Sequence, residues 1–385
     1  MQPKLTVLAV RDPAINVYVD SKFQLLQKFY DAYNIEVDFQ IIEWDQYYPS
    51  LMEVFEGKRK ADIVMVAGHF WLRDFVNKGF LAPVNYPNSA EYFQEDILPV
   101  IADEMRIDGQ TYLYPSFCDG HIICYRKSFV TNALGQQIPQ VITTDQYLEI
   151  LSTCSTHPDF KGISFRGSSS EIFLDALPFM RNRGIEVFDS FGNIHYDVTK
   201  MVNALNDYLT LKSYTRKEVS TYGNDEVAKD IKENLVSFGV TWGGQLGVIL
   251  DDDCIDKEDI EFATFNTAWN VTWSFGVVNL SSQKQMCETF LAYITSQEVD
   301  RIVGSYAGSP VRRSTYMLDQ SLYPWYPMHL ELINTYGKPL PSVYDAGTLL
   351  GVFYRRIHQA LIQELSIEDA SIAIDNDLKS ILKGE

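Results

Sequence analysis

Cysteine is scarce and scattered in this chain of 385 residues. Cys118, Cys124, Cys154, Cys254 and Cys287 include no CxxC pair, and their number is odd. That argues against a disulfide framework or a thiolate zinc site and leaves ordinary buried thiols. Long apolar runs are missing as well: nothing approaches the roughly 18 residues of a membrane span. Positive charge is in deficit, with 32 Lys and Arg against 51 Asp and Glu, a formal net charge of −19. So acidic a chain repels phosphate backbones, which argues against a nucleic-acid partner. No signal peptide is visible before the first strand. Met1 therefore starts either a cytoplasmic protein or one from which the export segment has been removed.

Catalytic signatures are also lacking. No GxGxxG, GxxxxGKS/T, HExxH or GxSxG occurs. His69, His121, His157, His195, His329 and His358 are isolated from one another, and a surface or internally satisfied histidine is the plainer reading of each. The acidic run DDDCID (residues 251–256) lacks the central glycine and closing glutamate of a calcium loop, so it reads as a solvated loop. No metal and no cofactor is expected.

What the chain does have is aromatic surface. Phe, Trp and Tyr make up 13% of it, with 23 Tyr, 22 Phe and 6 Trp, more than a core of this size needs. Some of those rings are free to face a ligand. The first part alternates strand and helix. KLTVLAV (4–10) reads as a strand, Asp20 caps a helix through Tyr33, and EVDFQII (36–42) has period two. Residues 48–55 are helical, DIVMV (62–66) is a strand covered on both faces, and 71–78 are helical with Gly79 as cap. Such alternation predicts an α/β fold, a mainly parallel sheet with helices on both faces. Ligands of these sheets collect at the carboxyl ends of the strands, here the loops 11–16, 43–47 and 67–70. Further on, Asp108–Gly109 marks a hairpin, 234–240 a strand, 282–295 and 296–303 two helices, and Ser366 with Asp369 a capping box.

Three landmarks carry a family resemblance: ADIVMVAGHFWLRDFVNKGFLAPV (61–84), YPSFCDGHIICYRK (114–127) and NLVSFGVTWGGQLGVI (234–249). In order and spacing, with FGVVNLSSQKQMCETFLAYITSQEVDRIVGSYAGSPVRRSTY and IEDASIAIDNDLKSIL behind them, the chain resembles the extracellular solute-binding proteins of ABC transporters. Specifically, it resembles the carbohydrate-binding group related to maltose-binding protein. The resemblance implies a two-lobed periplasmic-binding-protein-like fold with a hinge of several crossings. Residues 1–118 and 276–308 would form one lobe, and 119–275 and 309–385 the other. It implies a monomer that captures a sugar or oligosaccharide in a cleft and delivers it to a permease, outside the cell or in the periplasm. Membrane anchoring as a bacterial lipoprotein, with the export segment missing here, completes that expectation.

The same resemblance nominates the site. Asp119 occupies the first crossing, where a carboxylate accepts sugar hydroxyls. Trp242, expected on a loop, would stack on a sugar ring. Trp269 and Trp273 flank the second crossing, one lining the cleft and one packing. Trp44 and Asp45, Arg11 and Asp12, His69 and Phe70 lie in the strand-end loops, with Arg11–Asp12 as a clamp for vicinal hydroxyls. Glu171 and Phe173 start a second-lobe helix, Arg312 follows the third crossing, and Tyr354 belongs to a late aromatic pair. The alternative is a glycoside hydrolase that uses Asp119 with Asp45 or Glu171. A transferase with a cofactor attached at Cys118 is a weaker third reading.

Overall fold

A computed structural model describes residues 3–189, 193–341 and 343–383. The chain forms two compact units. The first comprises Met1–Asp119, Val271–Tyr326 and Ser342–Tyr344; the second comprises Gly120–Asn270, Pro327–Pro341 and Asp345–Glu385.

In the first unit, Lys4–Val10 pairs in parallel with Glu36–Ile42, Lys4 opposite Glu36, and with Ile63–Ala67, Val7 opposite Ile63. Asn270–Val277 joins antiparallel, Trp273 opposite Ala67, and Leu113–Arg126 lies beyond it. The strand IVMVA is buried at every position, as a central strand covered on both faces must be. The outer strand Glu36–Ile42 has no fully buried position and leaves Glu36, Asp38 and Ile41 exposed.

Leu113–Arg126 runs on past Asp119 into the second unit. There it pairs antiparallel with Phe238–Trp242, His121 opposite Trp242, and with Ile260–Phe265. Short parallel partners, Ile163–Ser164 and Val141–Ile142, extend the two sides. Helices Ile172–Asn182, Val198–Thr210, Ala346–Leu361 and Ile367–Lys383 pack together around a common apolar interior. Ser366 opens the last of these by accepting the Asp369 N–H at 3.0 Å. The Asp108–Gly109 turn joins Arg106–Ile107 to Gln110–Thr111 with φ of 50° and 82°, the left-handed pair a two-residue hairpin needs.

Several elements depart from their expected bounds. Residues 11–16 are not a loop: Pro13–Val19 is a helix, with proline at its first position and the Asp12 carboxylate accepting the Ala14 N–H at 2.8 Å. The helix expected from residue 48 starts at Trp44, and the one expected from 71 is Gly68–Asn77. Trp242 closes the strand Phe238–Trp242 instead of standing on a loop. Residues 309–326 belong to the first unit, so the division expected near Gly308 falls at Tyr326 and Pro327. No described helix is long and apolar enough to cross a membrane.

Candidate functional site

The parallel strands of the first unit end together, and the residues just past those ends gather two carboxylates and a set of indoles. Asp12 follows Lys4–Val10, Trp44 follows Glu36–Ile42, Gly68–Asn77 follows Ile63–Ala67, and Trp273 sits opposite Ala67. Asp119, at the end of this unit's share of Leu113–Arg126, is 7% exposed. Trp44 and Trp71 stack with centroids 5.9 Å apart, and Trp273 meets Trp44 edge-on at 5.8 Å. Phe117 lies nearly parallel to Trp273 at 6.3 Å. Trp71 is buried, whereas Trp44 and Trp273 are half-buried and Tyr48, at 5.6 Å from Trp71, is 41% exposed. The buried rings fix the tilt of the half-buried ones, which keep part of their indole surface open.

Charge is arranged with the same economy. Enclosure pushes the Asp12 carboxyl well above the usual range and the like charge of Asp119 adds to the rise, while the Ala14 N–H opposes it. Asp12 therefore holds its proton more tightly than an ordinary aspartate, and a carboxyl can donate or accept according to its protonation.

In the second unit the sequence-nominated aromatics are buried. Trp242 is 4% exposed and Trp269 2%, their centroids 5.1 Å apart. His121 lies 4.5 Å from Trp242. Its Nδ1 accepts the Trp269 backbone N–H at 3.2 Å, which puts the imidazole proton on Nε2, 3.7 Å from Asp175 Oδ1. Burial holds His121 below its usual range. Asp175 also binds the wholly buried Arg166: its Oδ2 accepts the Arg166 backbone N–H at 2.8 Å, and Oδ1 accepts Nε at 3.1 Å and also Nη2. Burial works against the Asp175 carboxylate, yet Arg166 and His121 outweigh it and hold the group below its usual range. The Arg166 guanidinium carbon lies 3.4 Å from the Trp242 ring centroid. A desolvated cation–π contact of this kind contributes up to about 2 kcal/mol.

Trp242 thus corrects the expectation of an open platform. The glycine after it serves packing: a Cβ on Gly243 would come 2.5 Å from His329 Nε2, so only glycine lets that buried imidazole sit there. Arg312 is also corrected. It is fully buried, and it donates to the carbonyls of Thr295 at 2.7 Å, Tyr92 at 2.8 Å and Phe93 at 3.0 Å, leaving it as an internal staple. Phe173 is core, 5.2 Å from both Phe353 and Tyr354. Arg11 is engaged by Glu43 at 2.7 Å instead of standing as a clamp. Asp45 is exposed in the first turn of Trp44–Phe55, Glu171 sits half-buried at the start of Ile172–Asn182, and Phe70 is 6% exposed against Trp71. The side chain of His69 lies outside the described residues.

Sequence reading passed over Trp71, Phe117, Arg166 and Asp175. A signal existed for the last two. Asp175 is the single charge in the apolar helical run IFLDALPFM, and Arg166 follows the buried strand Ile163–Ser164 after one phenylalanine. Charges in such settings are there to pair.

Residues 18–301 match the bacterial extracellular solute-binding protein family, and the chain belongs to it. The mannitol-binding protein of Pseudomonas aeruginosa is 25% identical over 267 residues, 62% of this chain and 58% of the relative, so the match spans less than two thirds of that protein. Among solved structures, maltose-bound T. maritima MalE3 superposes with a TM-score of 0.86 at 20% identity, covering 98% of this chain and 99% of the other. A solute-binding protein of Agrobacterium vitis with bound D-mannitol gives 0.84 at 19% identity, covering 99% of each chain.

Proposed function

We propose that this protein is the substrate-binding component of a carbohydrate ABC transporter. It takes up a sugar or polyol and presents it to a membrane permease without altering it chemically. The observation that carries this reading is the carboxyl edge of the first unit, where Asp12 and Asp119 lie with the half-buried Trp44 and Trp273. Carboxylates accept hydroxyl hydrogen bonds, and indole faces cover apolar C–H surface. Family membership supports it, as do the mannitol and maltose named for its relatives. The family's extracellular character supports a location outside the cytoplasmic membrane, and we extend the reading to a monomer held there by a lipid anchor.

Family membership supports binding over the hydrolase reading of Asp119 with Asp45 or Glu171. Asp45, the catalytic partner nominated on the first unit, is exposed, and its carboxylate accepts the neighbouring Gln46 amide at 3.2 Å. Cys118, the attachment point of the transferase reading, is wholly buried. A thermal-shift panel of alditols, monosaccharides and maltooligosaccharides tests the proposal. A ligand that binds only the folded chain raises its melting temperature with concentration. The proposal expects at least one such compound, and no product from chromogenic glycosides; turnover, or a flat panel at millimolar ligand, overturns it.

A further inference from the structure

Apart from the strand ends, the first unit holds a cavity of about 630 Å³, within the range that encloses small ligands. Separate stretches of chain line it. Gln285, Glu288 and Ala292 recur at i, i+3 and i+7 and so share one face of the helix Lys284–Ile294. Glu91 comes from a loop, and Tyr33 ends the helix Leu25–Tyr33. Glu288 ties helix to loop, because one of its carboxylate oxygens accepts the Asn85 N–H at 3.2 Å. Glu298, from the next helix, brings the carboxylates to three, and among the described lining residues there is no Lys, Arg or His. Lys28 reaches Glu298 only at 3.8 Å between exposed side chains, a pair that water screens. The rings are held as firmly. Buried Phe29 packs on Tyr33 at 4.8 Å and on Tyr293 at 5.4 Å, and the Tyr293 hydroxyl donates to the Leu25 carbonyl at 3.0 Å. Tyr33 is 50% exposed and Tyr293 half-buried, so both keep ring surface open.

Carboxylates that converge on a concavity focus a negative potential there, and tyrosine faces attract cations as well. An anion would be repelled by every charged lining residue, and a neutral ligand would desolvate the carboxylates without compensating their charge. We propose that this cavity binds a small organic cation, an alkyl amine or guanidine whose charged head meets Glu288 and Glu91 and whose methylenes lie against Tyr33 and Tyr293. Asp12, Asp119, Trp44 and Trp273 are not among its lining residues, so the cavity is a second site on the same unit.

Isothermal titration of the full chain with agmatine, putrescine, uncharged butanediol and an octa-arginine peptide tests it. Saturable one-site binding of agmatine or putrescine is expected, weaker at high sodium chloride, with butanediol bound at least about tenfold less tightly. Glu288→Gln keeps an acceptor for the Asn85 N–H and is expected to lose about tenfold in amine affinity. Tyr33→Leu changes an exposed ring and is expected to lose about threefold. Glu364→Gln removes an exposed carboxylate of the second unit and is expected to leave amine affinity unchanged. No saturable amine binding, butanediol bound as tightly, parent-like affinity in both cavity variants, or an equal loss in Glu364→Gln overturns the inference. So does binding of octa-arginine without binding of either amine, which would make the cavity a protein-docking surface. The carbohydrate reading stands or falls separately, on the thermal-shift panel.

Discussion

Arg166 lies over Trp242 with its guanidinium carbon 3.4 Å from the ring centroid, and Asp175 neutralises it from the other side. Both charged groups are out of water, so their value depends on each other. Asp175→Ala leaves a buried guanidinium uncompensated and is expected to cost about 3–5 kcal/mol of unfolding free energy. Arg166→Met with Asp175→Leu removes both charges while keeping volume and is expected to fall within roughly 1–2 kcal/mol of the parent. Urea denaturation of the three proteins checks the contrast; equal losses in both variants would refute the pairing.

At Asp12 the carboxylate has two tasks, capping Pro13–Val19 and sharing charge with Asp119. Asn caps as well as Asp does, whereas Ala does not. Asp12→Asn should therefore exceed Asp12→Ala in stability by about 1 kcal/mol at neutral pH, measured by chemical denaturation. Equal stabilities would remove the cap from the account.

The pH dependence of the first unit follows from Asp300. It is 3% exposed, accepts the Val311 N–H at 2.9 Å, and burial lifts its carboxyl to about 6. An acid whose folded value is raised holds its proton more tightly when native. Its stabilising share is present below the unfolded value near 4 and is lost as pH rises toward about 6. The stability of Asp300→Asn relative to the parent should thus rise by roughly 2–3 kcal/mol between those pH values and level off above them. A difference that does not change with pH would contradict it.

Gly243→Ala places a methyl group 2.5 Å from His329 Nε2 and is expected to cost about 1–3 kcal/mol. Adding His329→Ala should recover part of that loss, so that the two changes are non-additive in a double-mutant cycle. Strict additivity would mean that the close approach is not what holds glycine there.

Much of the fold was legible because its signals are local. Lys4–Val10 and Glu36–Ile42 have the bounds expected from their sequence, and the Ser366 cap lies where the spacing puts it. Trp44–Phe55 was misjudged at its start because Glu43 caps it without a side-chain bond, leaving no signature to read. The site was legible only in part. Strand-end loops nominated Asp12 and Trp44, and the family resemblance nominated Asp119 and Trp273. They could not show that Arg166 comes from 76 residues away in sequence to lie on Trp242, or that Arg312 spends its donors on carbonyls. Both depend on tertiary contacts, and a quoted segment carries no trace of its long-range partners.

The central claim is that the first unit's carboxylates and indoles hold a carbohydrate. Isothermal titration of the tightest compound from the panel into the parent, Asp119→Asn and Trp273→Ala tests it most directly. The account predicts saturable one-site binding by the parent, with losses of about 1–2 kcal/mol for Asp119→Asn and about 1–3 kcal/mol for Trp273→Ala. Both variants should remain folded by circular dichroism. Parent-like affinity in both folded variants would contradict the account.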